Sequence, residues 1–144
     1  MINRNVPAAV RYYRAAAMHL EAADAVVKQC PAESWSVLAH EAVYLSGYVV
    51  ECAFTALVLS RTPPKKHAEV VEGFRTEVKH NLDKLRHILS LKGVDLPAAQ
   101  RPRFVLVRSE WAAEMRYEAQ PRDRQDAAEV RDAARSLYQW ADRV

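Results

Sequence analysis

From Ala42 to Ser60 the chain is apolar at almost every position. A helix that is apolar all round has to be covered on every side, so this run dictates what the other segments must do. Its length alone suits a membrane span. However, Glu51 stands in its middle, Gly47 and several small residues dilute it, and the neighbouring segments are amphipathic. These features predict a central helix, from about Ser34 to Ser60, buried by the helices around it.

The covering helices are legible from spacing. Ala9, Tyr13, Ala16, Leu20, Ala23 and Val27 recur at intervals of four and three, the stripe of a helix from about Ala8 to Gln29. Residues 61–78 read as a polar linker with a short helix near Ala68 to Glu72. A third main helix is expected from about Lys79 to Leu91, with Val78, Leu82, Leu85 and Leu89 on one face. A fourth is expected from about Pro102 to Glu118, with Phe104, Val107, Trp111 and Met115 inward. Asp123 is a suitable N-cap for a fifth carrying Ala127, Val130, Ala134, Leu137 and Ala141. Prolines and the three glycines supply the breaks. No strand pattern competes. The expected fold class is all-α: an up-down antiparallel bundle of four to five helices in one domain, 1–144.

The 144 residues suffice for one core without metals or disulfides. Cys30 and Cys52 lack a paired spacing, and Met1 to Pro7 has no apolar leader. Reduced thiols in a cytoplasmic, non-membrane protein are therefore expected. Charge is uneven. Residues 1–60 carry a net −1, residues 61–92 a net +4, and residues 93–144 balance. A local basic excess attracts phosphate. Mixed charge on helix faces is also ordinary solvated surface.

There is no phosphate-binding glycine loop, no zinc-type cysteine spacing and no HExxH, and no metal or cofactor is expected. Asp83 and His87, with His80 one turn earlier, have the spacing of metal ligands, but such a trio on a polar face usually belongs to the surface. Glu51 needs a partner or its pKa rises. It is expected to be buried and paired with His80 or an arginine, in a structural ion pair or at a functional pocket. Arg108, Ala112 and Arg116 repeat every four residues beside Trp111. Two arginines near an aromatic residue suit a phosphate or a base, or Arg116 pairs with a glutamate. Arg75 and His80 offer an arginine to stabilise a phosphorane and a histidine to move protons. On one continuous helix they would point about 140° apart, so they would meet only across a dimer or around a helix start.

Taken in order, Tyr44-Leu-Ser-Gly-Tyr-Val-Val-Glu-Cys-Ala-Phe-Thr-Ala-Leu, His80-Asn-Leu-Asp-Lys-Leu, Trp111 with Arg116-Tyr117, and the alanine-rich last segment resemble the HEPN domain (higher eukaryote and prokaryote nucleotide-binding). The resemblance spans about residues 8–144. It implies the same helical bundle, usually as a homodimer. It also implies two kinds of member. Catalytic ones carry an Arg-x4-6-His motif and cut RNA at a site composed across the dimer, often as toxins or in defence systems beside a nucleotidyltransferase. Others lack the motif and bind nucleotides or serve as partners. The motif lies just before the last helix, where Arg116 matches its arginine, yet no histidine follows Arg116. Arg75 to His80 fits the spacing but lies earlier. The resemblance thus implies a non-catalytic or degenerate member. It would bind nucleotide or RNA as a dimer through Arg108, Trp111, Arg116 and Tyr117, in a toxin-antitoxin or defence-type system with a nucleotidyltransferase-like partner. The alternatives are a metal-independent ribonuclease toxin using Arg75 and His80, or an interaction module without ligand.

Overall fold

The computed structural model describes residues 1–32, 35–118 and 120–144. The expected start of the second helix at Ser34 lies outside them. Six α-helices are present among the described residues, one more than the upper expectation. They are α1 (Pro7–Gln29), α2 (Val37–Ser60), α3 (His67–Gly73), α4 (Leu82–Leu91), α5 (Arg101–Glu110) and α6 (Arg124–Arg143). The extra helix, α3, is the short one expected in the linker, and it runs on into a π-helical turn, Phe74–Val78.

Each helix starts where the local chemistry permits. Pro7 opens α1, where a missing N–H costs nothing. The Ser36 hydroxyl accepts from Leu38 N at the start of α2. Asn81 accepts from Lys84 N before α4, and Asp123 from Gln125 N before α6. A 3₁₀ turn, Pro64–Lys66, precedes α3.

Side-chain pairings set the directions. Asn3 bonds Ser60 and His19 meets Tyr48, so α1 runs against α2. Asp24 pairs with Arg131 and Arg135, and Arg4 pairs with Asp142, so α6 runs against α1 and along α2. Phe104 stacks on Phe54, and Trp111 bonds Tyr44, so α5 opposes α2. The axis is α2. Of its most apolar stretch, 78% is buried by the other helices, although its length and mean hydropathy of 1.7 would suit a membrane. The stripes expected from spacing supply the cover: Ala9, Ala16, Ala23 and Val27 of α1, Leu82, Leu85 and Leu89 of α4, and Ala127, Val130, Ala134, Leu137 and Ala141 of α6 are all buried.

Three expectations fail locally. The fourth helix stops at Glu110 instead of Glu118. Trp111 turns extended so that its indole packs over Gly47 and its Nε1–H donates to the Tyr44 carbonyl at 3.0 Å. Beyond it a 3₁₀ turn, Ala113–Tyr117, is held by His40, whose Nε2–H donates to the Met115 carbonyl at 2.8 Å. The third helix begins at Leu82, not Lys79, because Lys79 and His80 are left-handed, with φ of 45° and 66°. And a strand pair does form. β1 (Trp35–Ser36) and β2 (Arg122–Asp123) pair antiparallel, Trp35 opposite Asp123, and tie the entries of α2 and α6 together. Two residues per strand leave no alternation for a sequence pattern to reveal.

Candidate functional site

The left-handed pair at Lys79 and His80 sits between the π-helical turn and α4. Non-glycine residues with positive φ are strained and persist only where their surroundings hold them, and π turns recur at functional sites. The strain has a visible consequence. The two left-handed residues turn the chain so that the His80 ring faces α2. There Nδ1 lies 2.9 and 3.1 Å from the two carboxylate oxygens of Glu51. Nδ1–H donates to the Glu51 carboxylate, which fixes the ring with Nε2 directed away from it.

Glu51 is one member of a stripe. Tyr44, Tyr48, Glu51 and Thr55 follow one another at intervals of four, three and four along α2, so they share the face turned to this site. Tyr44 donates its hydroxyl to Tyr48 at 3.2 Å. Tyr48 packs edge-on against His80 and Trp111, at ring separations of 5.8 and 5.3 Å. Burial, followed by the Tyr44 hydrogen bond, pushes the Tyr48 phenol up, against a smaller opposing effect of the Arg116 charge. Burial likewise pushes the Glu51 carboxyl above its ordinary range, and the His80 hydrogen bond only partly offsets this. The pair is not sealed: the Glu51 side chain is 21% exposed and that of His80 is 42% exposed. Glu51 is therefore half-buried, not fully buried as expected from its apolar flanks.

His80 and Lys79 stand on the wall between two hollows. One, of about 550 Å³, is lined by Tyr12, Glu51, Thr55, Phe74, Arg75, Lys79 and His80. The other, of about 320 Å³, is lined by residues 79–83 together with Arg108 and residues 111–114. Arg75 and His80 thus share a hollow, because the chain between them is a π turn and a left-handed corner instead of one α-helix. Arg75 is 76% exposed and, among the described residues, is held only by a 3.9 Å approach to Glu72.

The other candidates are placed differently. Arg108 pairs with Asp83 at 3.3 Å on the rim of the smaller hollow. Trp111 is buried at 6%, with its N–H and one face engaged by α2, and it forms part of the wall of the smaller hollow. Arg116 lies over the ring of Tyr117 at 4.7 Å, and Tyr117 is exposed. Because α5 ends at Glu110, Arg108, Ala112 and Arg116 do not form the helical face that their spacing suggested. The metal-like trio is dispersed among other partners: Asp83 holds Arg108, His80 holds Glu51, and His87 lines a hollow further along α4. Among the described residues no group of three His, Cys, Asp or Glu side chains is arranged to hold a metal ion.

Sequence reasoning missed Tyr12, Tyr48, Phe74 and Lys79. For Tyr48 the available signal was the Tyr44–Tyr48–Glu51–Thr55 stripe, a row of polar atoms on one side of an otherwise apolar helix; Tyr12, Phe74 and Lys79 join the site only through the packing. No family model, curated protein or solved structure matches the chain.

Proposed function

We propose that this protein binds the phosphate and base of a nucleotide or single-stranded RNA in the hollow beside His80. The reading rests on one observation: Arg75, Lys79 and His80 converge with the aromatic rings of Tyr12 and Phe74 in a single hollow of about 550 Å³. Cationic side chains match phosphate and aromatic rings match bases. The resemblance to HEPN domains supports the same class of ligand, a homodimer, and a nucleotidyltransferase-like partner in a toxin-antitoxin or defence-type system. It does not decide where the ligand sits. We centre the reading on the His80 hollow instead of Arg116; Arg108 lines the smaller hollow on the other side of Lys79 and His80.

Metal-independent RNA cleavage is the second reading, favoured by the Glu51–His80 pair. A carboxylate that fixes one nitrogen of a histidine leaves the other oriented for proton transfer. An arginine that stabilises a transition state must, however, be preorganised, and Arg75 is not. Binding without cleavage is therefore the leading reading. Labelled RNA incubated with EDTA should stay intact and form a complex that weakens with salt. Cleavage that disappears in His80→Ala would replace binding with the second reading.

A further inference from the structure

A separate hollow lies further along α4, where the chain leaves it and returns into α5. It is about 310 Å³ and is lined by Arg86, His87, Ser90, Asp95, Leu96 and Arg101. Its two arginines are held, but not by acids. Arg101 turns back so that Nε–H donates to the Leu96 carbonyl at 3.0 Å. This leaves its terminal nitrogens unengaged by that bond. Arg86 lies over the Phe104 ring, 5.4 Å from its centre, an arrangement that positions a guanidinium without neutralising it.

The neighbouring Arg108 of α5 is in an ion pair with Asp83. Arg86 and Arg101 are in none among the described residues, although one carboxylate, Asp95, lines the same hollow. Two oriented guanidinium groups against a single unpaired carboxylate leave a net positive hollow, with the Ser90 hydroxyl as a further donor. Planar, oriented guanidinium groups suit an oxyanion of phosphate type.

The position of the hollow suggests what carries that phosphate. Asp83 meets Arg108 and Arg86 meets Phe104 through the long arginine side chains, so α4 and α5 run in opposite directions where they face each other. The His80 site lies at the start of α4, and the arginine hollow near its end. Leu82 and Ser90 are eight steps apart, about 12 Å of helix. We propose that the Arg86–Arg101 hollow is a second phosphate subsite, and that one RNA strand runs along α4 from His80 to it. This deepens the reading of the His80 hollow and rests on it for the path of the strand.

The test has two arms. In the first, inorganic pyrophosphate is titrated into the full-length protein, and NMR follows the Arg101 Nε–H and the His80 ring. The Arg101 signal should shift. In the second, a single-stranded RNA oligonucleotide is bound to the parent and to Arg86→Gln/Arg101→Gln across a salt series. The variant should bind roughly tenfold more weakly at low salt, with the salt slope smaller by about 0.7 for each phosphate no longer neutralised. An Arg101 signal unmoved by pyrophosphate, with unchanged RNA binding, overturns the subsite. A shift with pyrophosphate but an unchanged RNA slope overturns the strand path and leaves a site for small free oxyanions. If the Arg101 signal and the slope both respond while the His80 ring does not, the subsite stands and the His80 reading fails. The pyrophosphate arm uses unmodified protein, so a variant that fails to fold cannot decide the result.

Discussion

Glu51 shows what one residue can reveal from sequence and what it cannot. A carboxylate in an apolar run announces that it needs a partner, and His80 is the partner found. Its degree of burial was not legible, because that depends on where α1 and the π turn stop covering α2. With both side chains partly exposed, the pair should contribute about 1–2 kcal/mol, between exposed and buried pairs. Glu51→Ala should lower stability in urea by that amount. The pH dependence has a definite sign. Burial raises the folded carboxyl above its ordinary 4.5, so the folded state holds this proton more tightly than the unfolded chain. The stability it brings is full below about 4.5 and is lost as pH rises through the raised value. Across that window the parent should lose stability relative to Glu51→Gln; a melting series in which the parent gains instead contradicts the assignment. Gly47 is the second informative residue. A Cβ there would overlap the Trp111 indole, so Gly47→Ala should cost about 1–3 kcal/mol, read from the urea midpoint.

At the scale of elements, the stripes of α1, α4 and α6 were legible because burial on one face imposes the helical period on the sequence. The end of α5 was not. Nothing local in Trp111, Ala112 and Ala113 stops a helix; the chain leaves it because the Trp111 indole finds Tyr44 and Gly47, and because His40 binds Met115. Those partners lie far away in sequence. The corner before α4 was half legible. Asn81 is a recognisable N-cap, but Lys79 and His80 in left-handed geometry have no sequence signature, since neither is glycine or asparagine. Because that corner holds Lys79 at positive φ, Lys79→Gly should raise stability by up to about 1 kcal/mol, whereas the β-branched Lys79→Val should lower it. Thermal melts of the two variants would check this, and equal melts would show that the corner stores no strain.

For the whole molecule, the apolar run of α2 predicted its own burial, and the structure places the other helices around it. The candidate site was less accessible. It is assembled from α1, α2, the π turn and the corner before α4, so its members are scattered along the sequence; Arg75, His80 and Glu51 were visible as candidates and the Glu51–His80 pairing was among those expected, but not that Tyr12, Phe74 and Lys79 join them in one hollow. The proposed homodimer has a direct check. Light scattering at micromolar concentration should report about twice the 16.3 kDa chain mass, and a 16.3 kDa particle would remove the dimer. The central claim is that the ligand site is the His80 hollow and not the Arg116 segment. Fluorescence anisotropy of a labelled single-stranded RNA at low salt, with the parent, Arg75→Ala/Lys79→Ala and Arg116→Ala, separates the two. Loss of two phosphate-directed cations should weaken binding by roughly tenfold or more and flatten its salt dependence, while Arg116→Ala stays within about twofold of the parent. The reverse order, or parent protein that does not bind RNA at all, would contradict the account.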